Sequence, residues 1–251
     1  MYENIAKKDD TGVDNTPKGI LAWFKNFWYH YKWHSIVALF LIFTITICSV
    51  QMCQKESYDI YILYAGSHEI ERTNKNGDIA EYATLTSSLK RVTQDYDEDG
   101  NTVVSFKDLF MLSSEEIKEI EKSDEKIEIN RSLLIENQTI LNETMMYSNY
   151  YVCLLSKSVY NEYRTVDDVE MFSSLSSYVD ADTNVEYYTE SAIYLNSTAF
   201  YLLPGICNLP ADTLICLRNT SAIANHFDEK GTKEAHRRSV DTISKILNYK
   251  A

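Results

Sequence analysis

The stretch Ser35–Cys53, SIVALFLIFTITICSVQMC, contains no charged side chain. A helix of this length spans about 29 Å at about 1.5 Å per residue, close to the hydrocarbon core of a bilayer at about 30 Å. Core helices of soluble domains are usually shorter or have a polar face. The stretch therefore predicts a transmembrane helix, and membrane lipid is the first expected partner of the chain.

The charges beside this stretch predict its orientation. Residues 17–34 contain three lysines and no acidic side chain, whereas the first charges on the other side nearly cancel: Lys55, Glu56 and Asp59. Basic flanks of a membrane helix remain in the cytoplasm. The sequence thus predicts a single-pass protein of the cell membrane, with a cytoplasmic N-terminus and an extracellular C-terminal domain.

Two alternatives to a transmembrane helix, a cleaved signal peptide and a lipoprotein signal, fit the sequence less well. A cleaved signal peptide needs a small-x-small site, and none precedes Ser57. A lipoprotein needs a small residue before the modified cysteine, but Ile47 precedes Cys48 and Met52 precedes Cys53.

The segment before the span, Ile20–His34, predicts an amphipathic helix. Ile20, Phe24, Phe27 and Tyr31 fall on one face at 100° per residue, and the lysines lie nearly opposite. Aromatic rings suit the headgroup zone, and lysines suit an anionic inner leaflet. We expect an interfacial anchoring helix, and a docking helix for a partner membrane protein is the alternative.

Charge is divided unevenly along the chain. The whole protein has 251 residues and a net charge of −13, whereas residues 57–251 alone hold 18 basic and 32 acidic side chains. Such an acidic part argues against nucleic acid as a partner and favours cationic partners. We expect three regions: a cytoplasmic tail 1–34 carrying the amphipathic helix, a transmembrane helix 35–53 and an extracytoplasmic domain 57–251.

The extracytoplasmic region alternates between strand and helix patterns, which predicts an α/β fold with a single domain and a mixed sheet. Tyr58–Gly66 is apolar almost throughout, as a central strand would be. Further strands are predicted at 102–111, 150–155, 192–202 and 213–218. Helices are predicted at 79–92, 113–121 behind a capping box at Ser113 and Glu116, 124–147, 157–163, 165–176 and 232–249.

An acidic run resembles the opening of a calcium-binding loop. Carboxylates on alternate residues converge on one cation, and Gly100 allows the sharp turn that such a loop needs. The match then stops, because Phe106 occupies the position where a bidentate Glu is expected. A solvated acidic turn is the alternative. No other cofactor is predicted, and the candidate calcium ligands are Asp95, Asp97, Asp99 and Asn101.

The cysteines allow a disulfide outside the cytoplasm. Cys207 and Cys216 enclose eight residues, and a bridge there would stabilise the fold by about 2–3 kcal/mol. Cys153 would then remain as a small apolar residue of a strand. No catalytic residue is predicted, because the sequence lacks the H-E-x-x-H, G-x-S-x-G and phosphate-loop motifs.

Several runs of the chain resemble known groups of proteins. The runs 27–34, 62–66, 203–210 and 214–218 resemble a group of uncharacterised single-pass membrane proteins of Gram-positive, anaerobe-type bacteria. The helix and strand pattern of 134–160 is loosely similar to a unit of type II extracellular solute-binding proteins. The second resemblance implies one lobe of a solute-binding fold.

The leading hypothesis is a single-pass membrane protein whose acidic outer domain binds or scaffolds a partner, as an accessory component of a transporter or envelope complex. A calcium-dependent structural or adhesion module is the second hypothesis, and it depends on the acidic run. An envelope enzyme of unrecognised type is the third. The ligand of the domain is not indicated by any motif.

Overall fold

A computed structural model of the protein describes residues 19–53, 58–72, 80–122, 129–166, 169–221, 225–226 and 228–250. The chain divides into two compact units, Met1–Glu56 and Ser57–Ala251. The first 18 residues of the predicted cytoplasmic tail lie outside the described residues.

The first unit contains one long helix, α1, over Ile20–Cys53. It joins the predicted amphipathic segment and the predicted span, because no glycine or proline interrupts the chain between residues 20 and 53. The part Trp23–Ser49 is long and apolar enough to cross a membrane. Its apolar side chains are exposed, including Leu39 at 72% and Phe43 at 62%.

Three hydroxyl side chains in the apolar part of α1 are hydrogen-bonded inside the helix. The hydroxyls of Thr44, Thr46 and Ser49 donate to carbonyl oxygens four residues earlier, at 2.9, 2.8 and 2.8 Å. A hydroxyl bonded in this way does not need water as a partner. The helix is therefore compatible with a hydrocarbon environment along its apolar part.

The second unit is built on a mixed sheet of six strands. The strand order is β2-β1-β3-β8-β7-β6, in which β1 pairs in parallel with β2 and β3, and the remaining pairs are antiparallel. The strands are β1 Ile60–Gly66, β2 Val104–Phe110, β3 Val152–Leu155, β6 Tyr187–Thr189, β7 Ala192–Tyr194 and β8 Leu214–Leu217. The predicted α/β fold with a mixed sheet is confirmed, and β1 is central as expected.

Helices cover both faces of this sheet. The helices are α2 Glu81–Lys90, α3 Ser114–Lys122, α4 Arg131–Tyr147, α5 Lys157–Tyr163 and α6 Glu229–Leu247. Buried side chains of α2 and α6, such as Leu85 and Ile243, pack in one core cluster with Ile62. Side chains of α4 and α5, such as Leu141, pack in the other cluster with Leu63. Neighbouring residues of β1 thus point to opposite cores, which explains why this strand is apolar throughout.

The caps of two helices follow from their sequences. Ser113 and Glu116 form the predicted capping box, with Ser113 N donating to Glu116 Oε2 at 2.6 Å and Glu116 N donating to Ser113 Oγ at 3.2 Å. Asn130 caps α4 by accepting from the main-chain N of Leu133 at 3.1 Å. The predicted start of this helix at residue 124 lies outside the described residues.

The helix predicted over 165–176 is wrong. The described part of this segment forms a small antiparallel ribbon, β4 Thr165–Val166 with β5 Val169–Glu170, and then a short 3₁₀ turn at Ser176–Tyr178. Phe172 lies between them, bridged to Arg218 and stacked on Tyr160 at 5.3 Å between ring centres. Pairing and burial of this extended segment outweigh its local helix signals.

The strand predicted over 192–202 is only partly right. The strand β7 stops at Tyr194, and two 3₁₀ helices follow at Leu195–Ser197 and Ala199–Leu202. The Ser197 hydroxyl donates to Tyr194 O and the Thr198 hydroxyl to Leu195 O, both at 2.7 Å. Such local bonds offer the backbone an alternative to the ladder. The short strand β6 has no counterpart among the predicted strands.

Candidate functional site

An open crevice lies beside the carboxyl ends of β1 and β2. It consists of two cavities of about 410 and 570 Å³ that share Glu69 and Glu71. The smaller cavity extends to the start of α2, and the larger one reaches the side chains of β2 and α4. Ligands of open α/β sheets commonly bind at the carboxyl ends of the parallel strands. We call this site the acidic crevice, after its titratable residues His68, Glu69, Glu71, Arg72, Glu81 and Asp108.

A hydrogen-bonded pair of side chains joins the end of β1 to α2. His68 Nε2 lies 2.8 Å from Glu81 Oε1, and the main-chain N of Glu71 donates to Glu81 Oε2 at 3.2 Å. Glu81 is in the first turn of α2, where the helix dipole favours a negative charge. The pair therefore fixes the loop 67–71 against the helix.

Glu81 is held as a carboxylate. Burial raises the pKa of this carboxyl, but hydrogen bonds from His68, from the Glu71 main chain and from Asn208 outweigh burial, so the net pKa is lowered. The charge of Glu81 is thus present at neutral pH. A buried neighbour, Tyr64, accepts a hydrogen bond from His68 N at 3.2 Å, and burial raises the pKa of its phenol.

The basic side chain of the crevice is already engaged. Arg72 forms an ion pair with Asp108, and its guanidinium lies 4.5 Å from the ring centre of Tyr82. By contrast, Glu69 and Glu71 are exposed and form no ion pair with any described Lys or Arg. The crevice therefore presents uncompensated negative charge, which attracts a cationic group.

The predicted calcium ligands lie in a turn at the opposite end of β1. Single oxygens of Asp59, Asp95 and Asp97 lie within 4.8 Å of one another, a spacing that would allow one metal ion to contact all three. Asp59 was missed by sequence reasoning, because it lies 36 positions before Asp95 in the chain. The structure places Asp99 beside its own turn, where its Oδ1 accepts from Asn101 N at 2.7 Å.

The acidic turn is held together by its own carboxylates. Asp95 Oδ2 accepts from Gly100 N at 2.8 Å, and Asp97 Oδ1 accepts from Asp99 N at 3.3 Å. Asp95 Oδ1 is buried without a hydrogen-bond partner among the described residues. The calcium site stays a prediction, with Asp59 as an additional candidate ligand.

The disulfide that the sequence allows between Cys207 and Cys216 is not formed in the structure, where both side chains are free thiols. Cys207 is an exposed thiol, whereas Cys216 is buried in β8 and faces a different cysteine, Cys153 of β3. Spacing along the chain cannot show which side chains a sheet brings opposite each other.

Comparison of the chain with protein-family models, with curated proteins and with solved structures finds no match. The structure itself therefore defines the class: a long apolar helix followed by an α/β domain with an acidic crevice at the ends of its parallel strands.

Proposed function

We propose that this is a single-pass membrane protein whose acidic outer domain binds a cationic segment of a partner protein in a transporter or envelope complex. The observation that carries the binding role is the exposure of Glu69 and Glu71 in both cavities without a basic partner among the described residues. Lysine or arginine side chains of a partner would neutralise them. The loose resemblance to solute-binding proteins also favours a binding role.

The anchor supports the membrane location. α1 contains 34 residues, about 51 Å of helix, so about 20 Å extend beyond a hydrocarbon core of about 30 Å. The extending part carries the aromatic stack of Trp23, Phe27 and Tyr31, with ring centres 5.5 and 5.4 Å apart. These rings and Lys25 and Lys32 suit the inner headgroup zone, which favours an outer domain beyond the membrane.

Orientation is tested with the exposed thiol of Cys207 in the full chain. In a background in which Cys48 and Cys53 are replaced by serine, intact cells are treated with a membrane-impermeant maleimide, and we expect Cys207 to be labelled. A Lys8→Cys variant in the same background, with Cys207→Ser added, should be labelled only after the cells are permeabilised. Labelling of residue 8, and not of Cys207, in intact cells would contradict the proposed orientation.

Partner binding is tested by zero-length crosslinking. A water-soluble carbodiimide couples carboxylates to nearby amines in native membranes, so a complex at the crevice should yield a crosslinked species. The double variant Glu69→Gln, Glu71→Gln should lose that species. The matched control Glu115→Gln, Glu119→Gln removes the same charge from exposed positions on α3 and should retain it. Equal yields from the two double variants would reject the crevice as the binding site.

A calcium-stabilised structural module is the second candidate function, and the buried, unpartnered Asp95 Oδ1 beside Asp59 and Asp97 favours it. Calcium at about 100 times its dissociation constant would add about 2.7 kcal/mol and raise Tm by about 5–10 °C. Asp95→Asn should abolish this rise, whereas Asp182→Asn at an exposed position should not. An unchanged melting curve with calcium and with chelator would reject this candidate.

A further inference from the structure

Two buried cysteines face each other across the centre of the sheet. The strands β3 and β8 are antiparallel, and their register pairs Cys153 directly with Cys216. Side chains of directly opposite residues point to the same face of a sheet. Both thiols accordingly lie in the core cluster that also contains Leu63 and Leu155.

The Cα spacing expected for this pair falls within the range that disulfides join. Two positions from this pair in the same register, Tyr151 lies opposite Arg218. The main-chain N of Arg218 donates to Tyr151 O at 2.8 Å, so Tyr151 and Arg218 form a hydrogen-bonded pair of the ladder. Hydrogen-bonded pairs recur at every second position of an antiparallel ladder, so Cys153 and Cys216 form another, with their Cα atoms about 5.5 Å apart. Disulfides join Cα atoms that are about 4.4–6.8 Å apart.

We propose that Cys153 and Cys216 are a disulfide site that ties β3 to β8. Two thiols lose two protons and two electrons when the Sγ–Sγ bond forms. The oxidant is a small disulfide such as oxidised glutathione, which takes up the electrons and protons and leaves as two thiols. The structure holds Cys153 and Cys216 in the reduced form, and Cys207, an exposed thiol, takes no part in the bond.

Burial determines when the bond can form. Both side chains are fully buried, and burial raises the pKa of the Cys153 thiol to about 12 and that of Cys216 well above its ordinary value. Thiol–disulfide exchange requires a thiolate and an approach for the oxidant. The bond therefore forms while the chain is still folding, and the folded dithiol reacts slowly.

The bond would constrain a long stretch of the unfolded chain. The two cysteines are separated by roughly 60 residues, and closure of such a loop raises Tm by about 10 °C in a domain of this size. A chain that has been folded in its reduced form lacks this rise in Tm. The oxidised and reduced proteins should thus differ in Tm although their folds are the same.

The test uses the purified full chain in detergent, so its result does not depend on membrane orientation. The chain is unfolded and then refolded in a mixture of oxidised and reduced glutathione, and the remaining thiols are alkylated. Digestion with trypsin, followed by cleavage before Asp212, separates the peptide of Cys207 from that of Cys216. We expect the Cys216 peptide to be joined to the Cys153 peptide, with Cys207 alkylated.

Alkylation of both Cys153 and Cys216 after oxidative refolding would overturn the proposal, as would a link between Cys207 and Cys216. The variant Cys207→Ser should retain the bond and the Tm difference between oxidised and reduced samples. The variant Cys153→Ala should lose both, with Cys216 recovered in alkylated form. If Cys153→Ala does not fold, the peptide map of Cys207→Ser still decides the pairing.

Discussion

The Nε atom of Arg218 donates a hydrogen bond to the main-chain oxygen of Tyr150 at 3.1 Å. The same guanidinium bonds to the carbonyls of Met145 and Ser148 at the end of α4, and it lies 4.6 Å from the ring centre of Tyr151. Arg218 is fully buried and forms no ion pair with any described carboxylate. It therefore acts as a cationic cap that joins β8 to the carboxyl end of α4.

Arg218→Met should lower the free energy of unfolding by about 2–3 kcal/mol, because three main-chain carbonyls lose their donor. Denaturant unfolding of the full chain measures this change. The matched control Arg164→Met replaces an exposed arginine and should change stability by less than about 0.5 kcal/mol. Equal effects of the two substitutions would exclude the capping role of Arg218.

Gly205 packs directly on the backbone of α2. Its φ is +80°, and a Cβ at this position would lie 2.6 Å from Leu85 N and 2.7 Å from Leu85 Cα. Gly205→Ala should therefore cost about 3 kcal/mol or more, through both backbone strain and a displaced helix.

Gly100→Ala is the control that separates these two effects. Gly100 has a φ of +88°, but a Cβ added there would meet no described atom within 4 Å, so only backbone strain of about 1 kcal/mol is expected. Thermal melts of both variants measure the difference. If Gly205→Ala is no more destabilising than Gly100→Ala, the close approach of residue 205 to α2 does not affect the free energy of unfolding.

His236 should make stability depend on pH between about 5 and 7. Its ring packs edge-on against Tyr151, with 5.3 Å between ring centres. Burial lowers the pKa of His236 below its ordinary 6.5. A hydrogen bond to the Arg218 main chain raises this pKa in part, whereas the charge of Arg218 lowers it further. The unfolded chain therefore binds a proton that the folded chain does not, and stability present above pH 6.5 is lost as the pH falls.

Tm measured at pH values from about 7.5 to about 5.5 tests this sign. His236→Gln should reduce the fall in Tm over that range, because glutamine does not titrate. A steeper fall in the His236→Gln variant would contradict the proposed cause.

Asp59 should stabilise the acidic turn without any metal. Its side chain is 2% exposed, and its oxygens accept from Tyr96 N at 2.6 Å and from Val103 N at 2.8 Å. Asp59→Asn replaces one acceptor by a donor and should cost about 1–3 kcal/mol in the presence of chelator. Asp182→Asn is the matched control, and an equal, small cost for both would show that the turn does not depend on Asp59.

Part of the fold could be predicted because its causes are local. The capping box at Ser113 and Glu116 and the apolar run of β1 each show their role within a few residues. The helix predicted at 165–176 failed for the opposite reason, since Phe172 is held by Arg218 from a distant strand. Local helix propensity does not decide the structure of a segment where such strand pairing and burial are stronger.

The candidate site was even less accessible to sequence reasoning. His68 and Glu81 come from a loop and a helix, and no motif links them. The calcium prediction found Asp95 and Asp97 because they are neighbours in one turn, but it missed Asp59. A signal for Asp59 existed in its position as a charged residue at the start of an apolar strand.

The sequence by itself determined the apolar helix, the acidic C-terminal part and the α/β class, because length, charge and hydrophobic period are properties of the chain. Only the tertiary structure decided which side chains meet: His68 with Glu81 in the crevice, and Cys153 rather than Cys207 opposite Cys216. Strand order and register set those contacts, and they depend on the packing of segments that are far apart in the chain.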